Sequence, residues 1–159
     1  MLSIAYIETP LGTAELGGDS NGLQYVTLLD SKAATETELI PEELQEATTQ
    51  LIDYFSGKRT SFSLLLNPQG TEFQKKVWHA LNQIPFGKTV TYMDMAKKLG
   101  DLKVIRAAAS ANGKNPIAII IPCHRVIGSD GSLTGYASGL WRKQWLLEHE
   151  SPVVQQKLF

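Results

Sequence analysis

The sequence changes its pattern near residue 70, and this change divides the chain into two parts. Before it, short apolar segments alternate with glycine-rich turns, and after it apolar residues recur at helical spacing. The segment Asn67-Pro68-Gln69-Gly70 lies between the two patterns and is typical of a linker. A chain of 159 residues is long enough for two small domains. We therefore predict one domain over residues 1–70 and a second over residues 71–159.

The first part predicts a small β-sheet with one helix against it. Residues 3–7 and 23–29 are apolar segments, and the turn signals Pro10-Leu11-Gly12 and 17–22 lie between them. This arrangement is typical of a meander of about three strands. A helix follows Pro41, because apolar and aromatic residues then recur at helical spacing at Leu44, Ala47, Leu51 and Tyr54.

The second part predicts several short helices. Thr71 with Gln74, and Thr91 with Asp94, have the spacing of a capping box, which marks the N-terminus of a helix. Gly100 separates the helix that begins near Thr91 from the next predicted helix. Two short helices joined through a glycine are typical of a helix-turn-helix.

The second helix of this pair, predicted over residues 102–111, carries Arg106 followed by Ala107-Ala108-Ala109-Ser110. Small side chains would let the helix approach a nucleic-acid backbone closely. Alanine is also the best helix former, so both interpretations stay open. Residues 71–150 have 11 basic and 6 acidic residues, a net charge of +5, whereas residues 1–70 have 3 and 10, a net charge of −7. The second half is therefore the half suited to phosphates.

The composition excludes several classes of protein. The chain is 43% hydrophobic and 19% charged, a globular balance that disordered and collagen-like chains lack. Its single cysteine, Cys123, excludes an internal disulfide and a cysteine-rich zinc site. The longest apolar run, residues 117–121, is too short to cross a bilayer. Because no secretory signal pattern opens the chain, we expect a cytoplasmic protein with no membrane association.

Cys123 has the surroundings of a nucleophile. Pro122 precedes it, His124 and Arg125 follow it, and the apolar run leads it into the fold. A nearby base or positive charge raises the fraction of thiolate, which is the reactive species. Neighbours on an extended segment point to opposite sides, so contact between Cys123 and His124 requires a bend or a bridging water. The alternative is a buried, inert cysteine.

The segment Ile121-Pro122-Cys123-His124-Arg125-Val126 resembles the nucleophile motif of the methylated-DNA–protein-cysteine methyltransferases, the O6-alkylguanine-DNA repair proteins. The resemblance continues through Gly113-Lys114-Asn115-Pro116, Gly135-Tyr136-Ala137 and residues 145–150 at fixed spacing. It implies an α/β fold, in which a small N-terminal sheet-plus-helix domain is followed by a mainly helical C-terminal domain. That second domain would be a winged-helix-like DNA-binding domain.

The resemblance implies a role for each matching residue. Cys123 is similar to the methyl acceptor, and His124 to the base that removes the thiol proton through a water. Glu150 is similar to the carboxylate that orients this histidine, although glutamate is disfavoured by the dipole at a helix C-terminus. Tyr92 is similar to the tyrosine that helps to rotate the target nucleotide and stabilises the departing base. Arg106 is similar to the arginine that fills the gap left by the extruded guanine.

Three further residues complete the implied site. Asn115 resembles the asparagine that ties the recognition helix to the nucleophile segment. Tyr136 and Ala137 lie on the loop whose backbone amides would meet guanine O6. Two positions differ from the family pattern, because Ser138 and Ser151 stand where glycine is common. The serine at 138 bears on the shape of the loop and on the tolerance of bulky alkyl groups.

The implied function is DNA repair by irreversible, stoichiometric transfer of a methyl or small alkyl group to Cys123. The group would come from O6 of guanine, less readily from O4 of thymine, in a nucleotide flipped out of double-stranded DNA. Without a second thiol in the chain, the resulting thioether cannot be reversed, so the resemblance implies a single-turnover transferase. It implies no cofactor and no metal, and we expect a monomer.

Two other functions are compatible with the residues alone. A damage sensor or transcription regulator built on the helix-turn-helix would bind DNA without using Cys123. Sequence-specific regulators usually need a dimer, and the sequence has no evident dimerisation segment. A cysteine hydrolase would turn over an acyl substrate, but its cysteine and histidine are normally distant in sequence.

Overall fold

The computed structural model describes residues 1–30, 35–133 and 135–151. The chain forms two compact units, one of Met1–Gln69 with Pro116–Ile120 and one of Gly70–Asn115 with Ile121–Phe159. The end of the predicted C-terminal domain, residues 152–159, lies outside the described residues. No helix in the described ranges combines the length and the apolar character that a membrane span requires.

The first unit contains an antiparallel sheet of order β1-β2-β3 and one helix. Buried residues alternate with more exposed ones along β1, as expected of a strand with one face against a core, whereas most residues of the central strand β2 are buried. Leu44 and Leu51 of the helix are fully buried on that core. The predicted meander is therefore confirmed, with elements β1 (Ser3–Thr9), β2 (Gly12–Asp19), β3 (Gly22–Leu28) and α1 (Glu42–Phe55).

Residues 116–120 pack with the first unit, although the sequence analysis assigns them to the C-terminal domain. The reason is backbone pairing with β3, in which Val26 donates to the Pro116 carbonyl at 3.0 Å and Ala118 donates to the Val26 carbonyl at 3.2 Å. The apolar run is buried as predicted, but it pairs through a single bridge at Ile117. Ile119 has a φ of +73°, a left-handed conformation that interrupts any strand there.

The second unit is mainly helical. The two capping boxes form as predicted, with Thr71 and Thr91 each accepting from the backbone N–H three residues later. Trp78 is buried, and its indole Nε1 donates to the Ala111 carbonyl at 2.9 Å, which joins two of the helices. The elements are α2 (Glu72–Leu81), β4 (Val90–Thr91), α3 (Tyr92–Lys98), α4 (Ile105–Gly113), β5 (Val126–Ile127) and α5 (Leu140–Glu150). Strands β4 and β5 form a short parallel pair.

The connection between α3 and α4 is short, as the predicted helix-turn-helix requires. Gly100 has a φ of +94°, a conformation that glycine adopts without steric cost, and it ends α3. The sequence predicts a helix from residue 102, whereas the structure has a 3₁₀ turn at Leu102–Val104 before α4 begins. Asp101 caps this turn, as the sequence predicts for the start of the helix, by accepting from the backbone N–H of Lys103 at 2.8 Å.

Candidate active site

Cys123 and His124 lie on a 3₁₀ turn, Cys123–Arg125, directly after Pro122. The turn is the bend that an extended segment lacks, because successive side chains diverge by about 120° on a 3₁₀ turn and do not point to opposite sides. His124 is completely buried and Cys123 is only 7% exposed. The turn therefore delivers the thiol and the imidazole together into the interior of the second unit.

Glu150, in the last turn of α5, binds both basic residues of this turn. Its Oε2 atom lies 2.8 Å from His124 Nε2, and its two oxygens accept from Arg125 Nε at 2.8 Å and Nη2 at 3.0 Å. Arg125 Nη1 also donates to the Ile84 carbonyl at 2.7 Å. Two cationic or donor partners offset the unfavourable position of a carboxylate at a helix C-terminus.

The network fixes the protonation of its members. Burial raises the pKa of Glu150, but the hydrogen bonds from His124 and Arg125 outweigh it, so the pKa lies well below its ordinary value. Burial lowers the pKa of His124, and the positive charge of Arg125 opposes the raising effect of Glu150. The imidazole is therefore neutral near pH 7 and donates from Nε2 to the carboxylate. Its buried Nδ1 has no hydrogen-bond partner among the described residues and is left as a proton acceptor.

The resting state of Cys123 is the thiol. Burial raises the pKa of Cys123, whereas a hydrogen bond from Asn115 and the positive charge of Lys143 lower it without cancelling the rise. A thiol held in this form reacts only when a base removes its proton. The neighbouring neutral histidine is such a base.

Asn115 and Lys143 hold the backbone on either side of the turn. Asn115 Nδ2 donates to the Ile121 carbonyl at 2.7 Å, so the residue beyond the end of α4 is tied to the segment that enters the turn. Lys143 is fully buried, and its Nζ donates to the Val126 carbonyl at 2.6 Å. The Lys143 ammonium lies 5.9 Å from the centroid of the Tyr92 ring, which brings Tyr92 into the same region.

The remaining predicted residues have different surroundings. Tyr92, half-buried at the start of α3, has its hydroxyl next to Gly135, where a Cβ would lie 3.1 Å from it. Tyr136 is buried, and its hydroxyl has no hydrogen-bond partner in the described part of the chain. Arg106 is exposed on α4 and Ala137 is exposed on the loop before α5. Apart from these two, the structure brings the predicted residues together around Cys123.

The sequence does not assign Lys143 to the site, and it shows Arg125 as a neighbour of Cys123 without its partner Glu150. Lys143 had a detectable signal, because it lies three and seven residues before Leu146 and Glu150, on the buried face of α5. A charged residue on an apolar helix face indicates a buried partner. Arg125 had no such signal, since its partners are 25 and 41 residues away in sequence. Within the described ranges, no group of three or more potential ligand residues could hold a metal ion.

Two family models match almost the whole chain. Residues 2–68 match the 6-O-methylguanine DNA methyltransferase, ribonuclease-like domain, and residues 72–152 match the DNA binding domain of the same family. The chain belongs to the 6-O-methylguanine DNA methyltransferase family. The family prediction is confirmed.

Individual relatives agree with this assignment. The methylated-DNA–protein-cysteine methyltransferase of Methanosarcina acetivorans is 49% identical over 153 residues, which cover 92% of this chain and 96% of the relative. The structure of Mycobacterium tuberculosis OGT in complex with DNA matches with a TM-score of 0.81 and 40% identity, covering 97% of this chain and 98% of that one. An O6-methylguanine DNA methyltransferase from Methanococcus jannaschii matches with a TM-score of 0.68 and 31% identity, covering 92% and 93%. The predicted α/β fold, with its N-terminal sheet and helical DNA-binding part, is confirmed.

Proposed function

We propose that this protein repairs DNA by transferring a methyl or small alkyl group from O6 of guanine to Cys123. Membership of the family supports the reaction class and DNA as the partner. The observation that carries the assignment to specific atoms is the neutral His124, fixed through Nε2 by Glu150 beside a buried thiol. Its free Nδ1 is the acceptor that thiol activation needs.

The first step is proton transfer. The thiol proton of Cys123 passes through a water to His124 Nδ1, which becomes an imidazolium. The Glu150 carboxylate stabilises the positive ring through Nε2, as the third member of a nucleophile–base–carboxylate set. Arg125 keeps this carboxylate ionised and in place through two hydrogen bonds.

The second step is an in-line displacement at the alkyl carbon. The sulfur–carbon bond forms while the bond from carbon to guanine O6 breaks, and its electron pair stays with the guanine. The departing base is stabilised by the Tyr92 hydroxyl and by the backbone amides at Tyr136 and Ala137. It takes up a proton from water to become guanine, and His124 returns the thiol proton to water, so the charges balance. The thioether that forms on Cys123 is stable to water.

Access to the alkyl group requires extrusion of the nucleotide. O6 faces the base stack in a duplex, so the target must be flipped out at a cost of a few kcal/mol. Arg106 is exposed on α4, which supports its assignment as the residue that fills the gap. Asn115 couples the end of that helix to the nucleophile segment through the Ile121 carbonyl.

The reaction takes place once for each molecule. Cys123 is the only thiol in the chain, so no internal exchange can regenerate it. The physiological partner is double-stranded DNA that contains O6-alkylguanine, bound by a monomer in the cytoplasm, and O4-alkylthymine is a weaker substrate. Residues 71–159 carry the transferase domain, and residues 1–70 form the supporting domain. The reaction uses no cofactor and no metal.

Intact mass spectrometry tests the proposal. The protein is mixed with excess duplex that contains one O6-methylguanine, and the product is then mapped by peptide analysis. The expected result is the gain of one methylene on Cys123, saturating at one per molecule, with loss of methyl from the DNA. Methylated DNA with unmodified protein would contradict the proposal and favour a damage sensor. Demethylated DNA with unmodified protein would favour a catalytic mechanism with turnover.

Two histidine variants separate the loss of the base from general destabilisation of the protein. His124→Gln is expected to slow methyl transfer by about 10²–10⁴-fold, the usual contribution of a general base. His149→Gln, on the half-buried face of α5, is the matched control and is expected to retain the wild-type rate. Equal rates for the two variants would refute the role of His124.

A further inference from the structure

The loop before α5 ends in a tight turn, residues 136–139, that leads directly into the helix. The Gly139 backbone N–H donates to the Tyr136 carbonyl at 3.0 Å, and Gly139 has a φ of +104°. The Gly139 carbonyl in turn accepts from the N–H groups of Arg142 and Lys143 at 3.2 and 3.3 Å. The shape of the turn is therefore set by its contacts with the first turn of α5.

Arg142 holds this turn from inside the protein. Its side chain is 2% exposed, and Nη1 donates to the Ser138 carbonyl at 2.9 Å. The guanidinium carbon lies 4.7 Å from the centroid of the Trp141 ring. A carbonyl acceptor and an aromatic face are both favourable partners for a buried guanidinium.

Trp141 covers the same turn from the solvent side. It is 56% exposed, so burial in a core does not explain its position. A Cβ on Gly139 would lie 3.4 Å from indole Cδ1, so the ring lies beside this glycine. The indole therefore lies next to both Gly139 and the guanidinium that holds Ser138.

Tyr136 and Lys143 connect the turn to the segment that carries the reactive sulfur. The Tyr136 side chain is buried at the start of the turn. The Lys143 backbone N–H donates to the Gly139 carbonyl at 3.3 Å, and its Nζ donates to the Val126 carbonyl at 2.6 Å, three residues after Cys123. Burial and negative charge on Cys123 raise the pKa of Tyr136, whereas the Arg142 guanidinium lowers it. A displacement of the turn therefore acts, through Lys143, on the backbone next to Cys123.

We propose that Arg142, with Trp141 stacked on it, is a positioning residue that fixes turn 136–139 over Cys123 and thereby limits the size of the alkyl group. The inference rests on the proposed function, because the backbone amides of this turn act there on guanine O6. Methyl transfer depends on these amides being fixed, since a methyl group makes few contacts of its own. A larger group such as benzyl contacts more of the pocket and gains room when the turn loosens.

Single-turnover kinetics with O6-methylguanine and O6-benzylguanine in otherwise identical duplexes test this role. Arg142→Met removes the donor and the charge at similar length, and it is expected to slow methyl transfer at saturating DNA about tenfold, the value of one charge-assisted hydrogen bond. Trp141→Ala is expected to slow it roughly threefold to tenfold, the value of one cation–π contact. In both variants the ratio of benzyl to methyl rate rises, while affinity for undamaged DNA is unchanged.

Three matched variants separate positioning from charge and from general destabilisation. Trp141→Phe keeps an aromatic face and is expected to restore most of the wild-type rate. Arg142→Lys keeps the charge but lacks the planar fork, and it is expected to resemble the methionine variant. Leu140→Ala removes the neighbouring exposed side chain, which is 49% exposed, and is expected to behave as wild type.

The combined variant provides the last test. Trp141→Ala added to Arg142→Met is expected to have little further effect, because both act on the same turn. Full rescue by lysine, an unchanged benzyl-to-methyl ratio, or equal effects of the alanine variants at 140 and 141 would each overturn the inference. Absence of transfer in the wild type would instead overturn the proposed function, and this inference with it.

Discussion

Glu150→Gln removes one charge from the buried network and keeps its shape. The carboxylate accepts three hydrogen bonds, from His124 Nε2 at 2.8 Å and from Arg125 Nε and Nη2 at 2.8 and 3.0 Å. Glutamine has a single acceptor oxygen, and its amide N–H₂ cannot accept from a guanidinium. The variant therefore leaves the buried charge of Arg125 without a counter-charge from residue 150.

The expected loss of stability is large. Removing one partner of a buried ion pair costs about 3–5 kcal/mol, because the other charge stays buried and uncompensated. Typical domains have a free energy of unfolding of about 5–15 kcal/mol, so this loss removes a large share of the stability. Combining Glu150→Gln with Arg125→Met removes both charges, and we expect the double variant to be more stable than the additive sum of the two single variants.

The transfer rate is expected to fall for a different reason. The glutamine amide is able to donate to His124 Nε2, which would place the ring proton on Nδ1, the atom that accepts the thiol proton in the proposed reaction. The imidazolium formed during transfer also loses its counter-charge. We expect methyl transfer at pH 7 to slow by about 10²–10⁴-fold, the contribution of general base catalysis.

Urea unfolding and single-turnover transfer measure the two effects separately. Glu148→Gln is the matched control, because Glu148 is exposed on the same helix and its carboxylate accepts from the exposed Gln144 side chain at 3.1 Å. It is expected to change the free energy of unfolding by less than about 0.5 kcal/mol and to leave the rate unchanged.

The pH dependence of stability provides the refuting measurement. Because the pKa of Glu150 is depressed, its stabilising contribution is complete above the ordinary carboxyl pKa of 4.5 and is lost as the pH falls below it. The difference in unfolding free energy between wild type and Glu150→Gln should therefore shrink on acidification. A difference that is absent at pH 7, or constant down to low pH, would refute the argument that Glu150 is a buried, paired carboxylate.

Three further predictions concern the base, the thiol and the DNA contact. Because burial lowers the pKa of His124 from its ordinary value of 6.5, the midpoint of the fall in transfer rate on acidification should lie below pH 6.5 at saturating DNA, and a midpoint above 6.5 would contradict this. Asn115→Ala removes a hydrogen bond that lowers the pKa of Cys123, so titration of thiolate absorbance should shift to higher pH, whereas an unchanged titration would count against that bond. Arg106→Ala should slow transfer about tenfold, because the flipped nucleotide is no longer replaced, and lower the affinity for undamaged duplex much less. Equal losses in rate and affinity, measured by quench-flow and by anisotropy, would indicate a simple backbone contact.

The sequence predicted structure well where the determining contacts are local. Each capping box consists of two hydrogen bonds between residues three apart. The spacing from Thr71 and from Thr91 therefore predicts the start of each helix from local sequence alone. The same holds for the strand meander, whose turns and alternation lie within about 30 residues of sequence. The resemblance then supplied what local pattern lacks, namely the family and the reaction class.

The sequence did not predict contacts that depend on packing between distant elements. The sequence places Arg125 next to the nucleophile, but its place in the network follows only when α5 brings Glu150 next to it. The path of residues 116–120 is a similar case, since their apolar composition indicates burial but not pairing with Val26 in the first unit. Nothing in the local sequence indicates the left-handed conformation of Ile119.

The burial of Cys123 also affects how fast its thiol undergoes side reactions before the protein binds damaged DNA. A molecule that reacts only once is lost if an oxidant or a small electrophile reaches its sulfur first. A side chain that is 7% exposed, with a pKa held above that of a free thiol, presents few thiolate ions to such reagents. The same burial that makes a base necessary for repair thus gives the unused protein a long chemical lifetime.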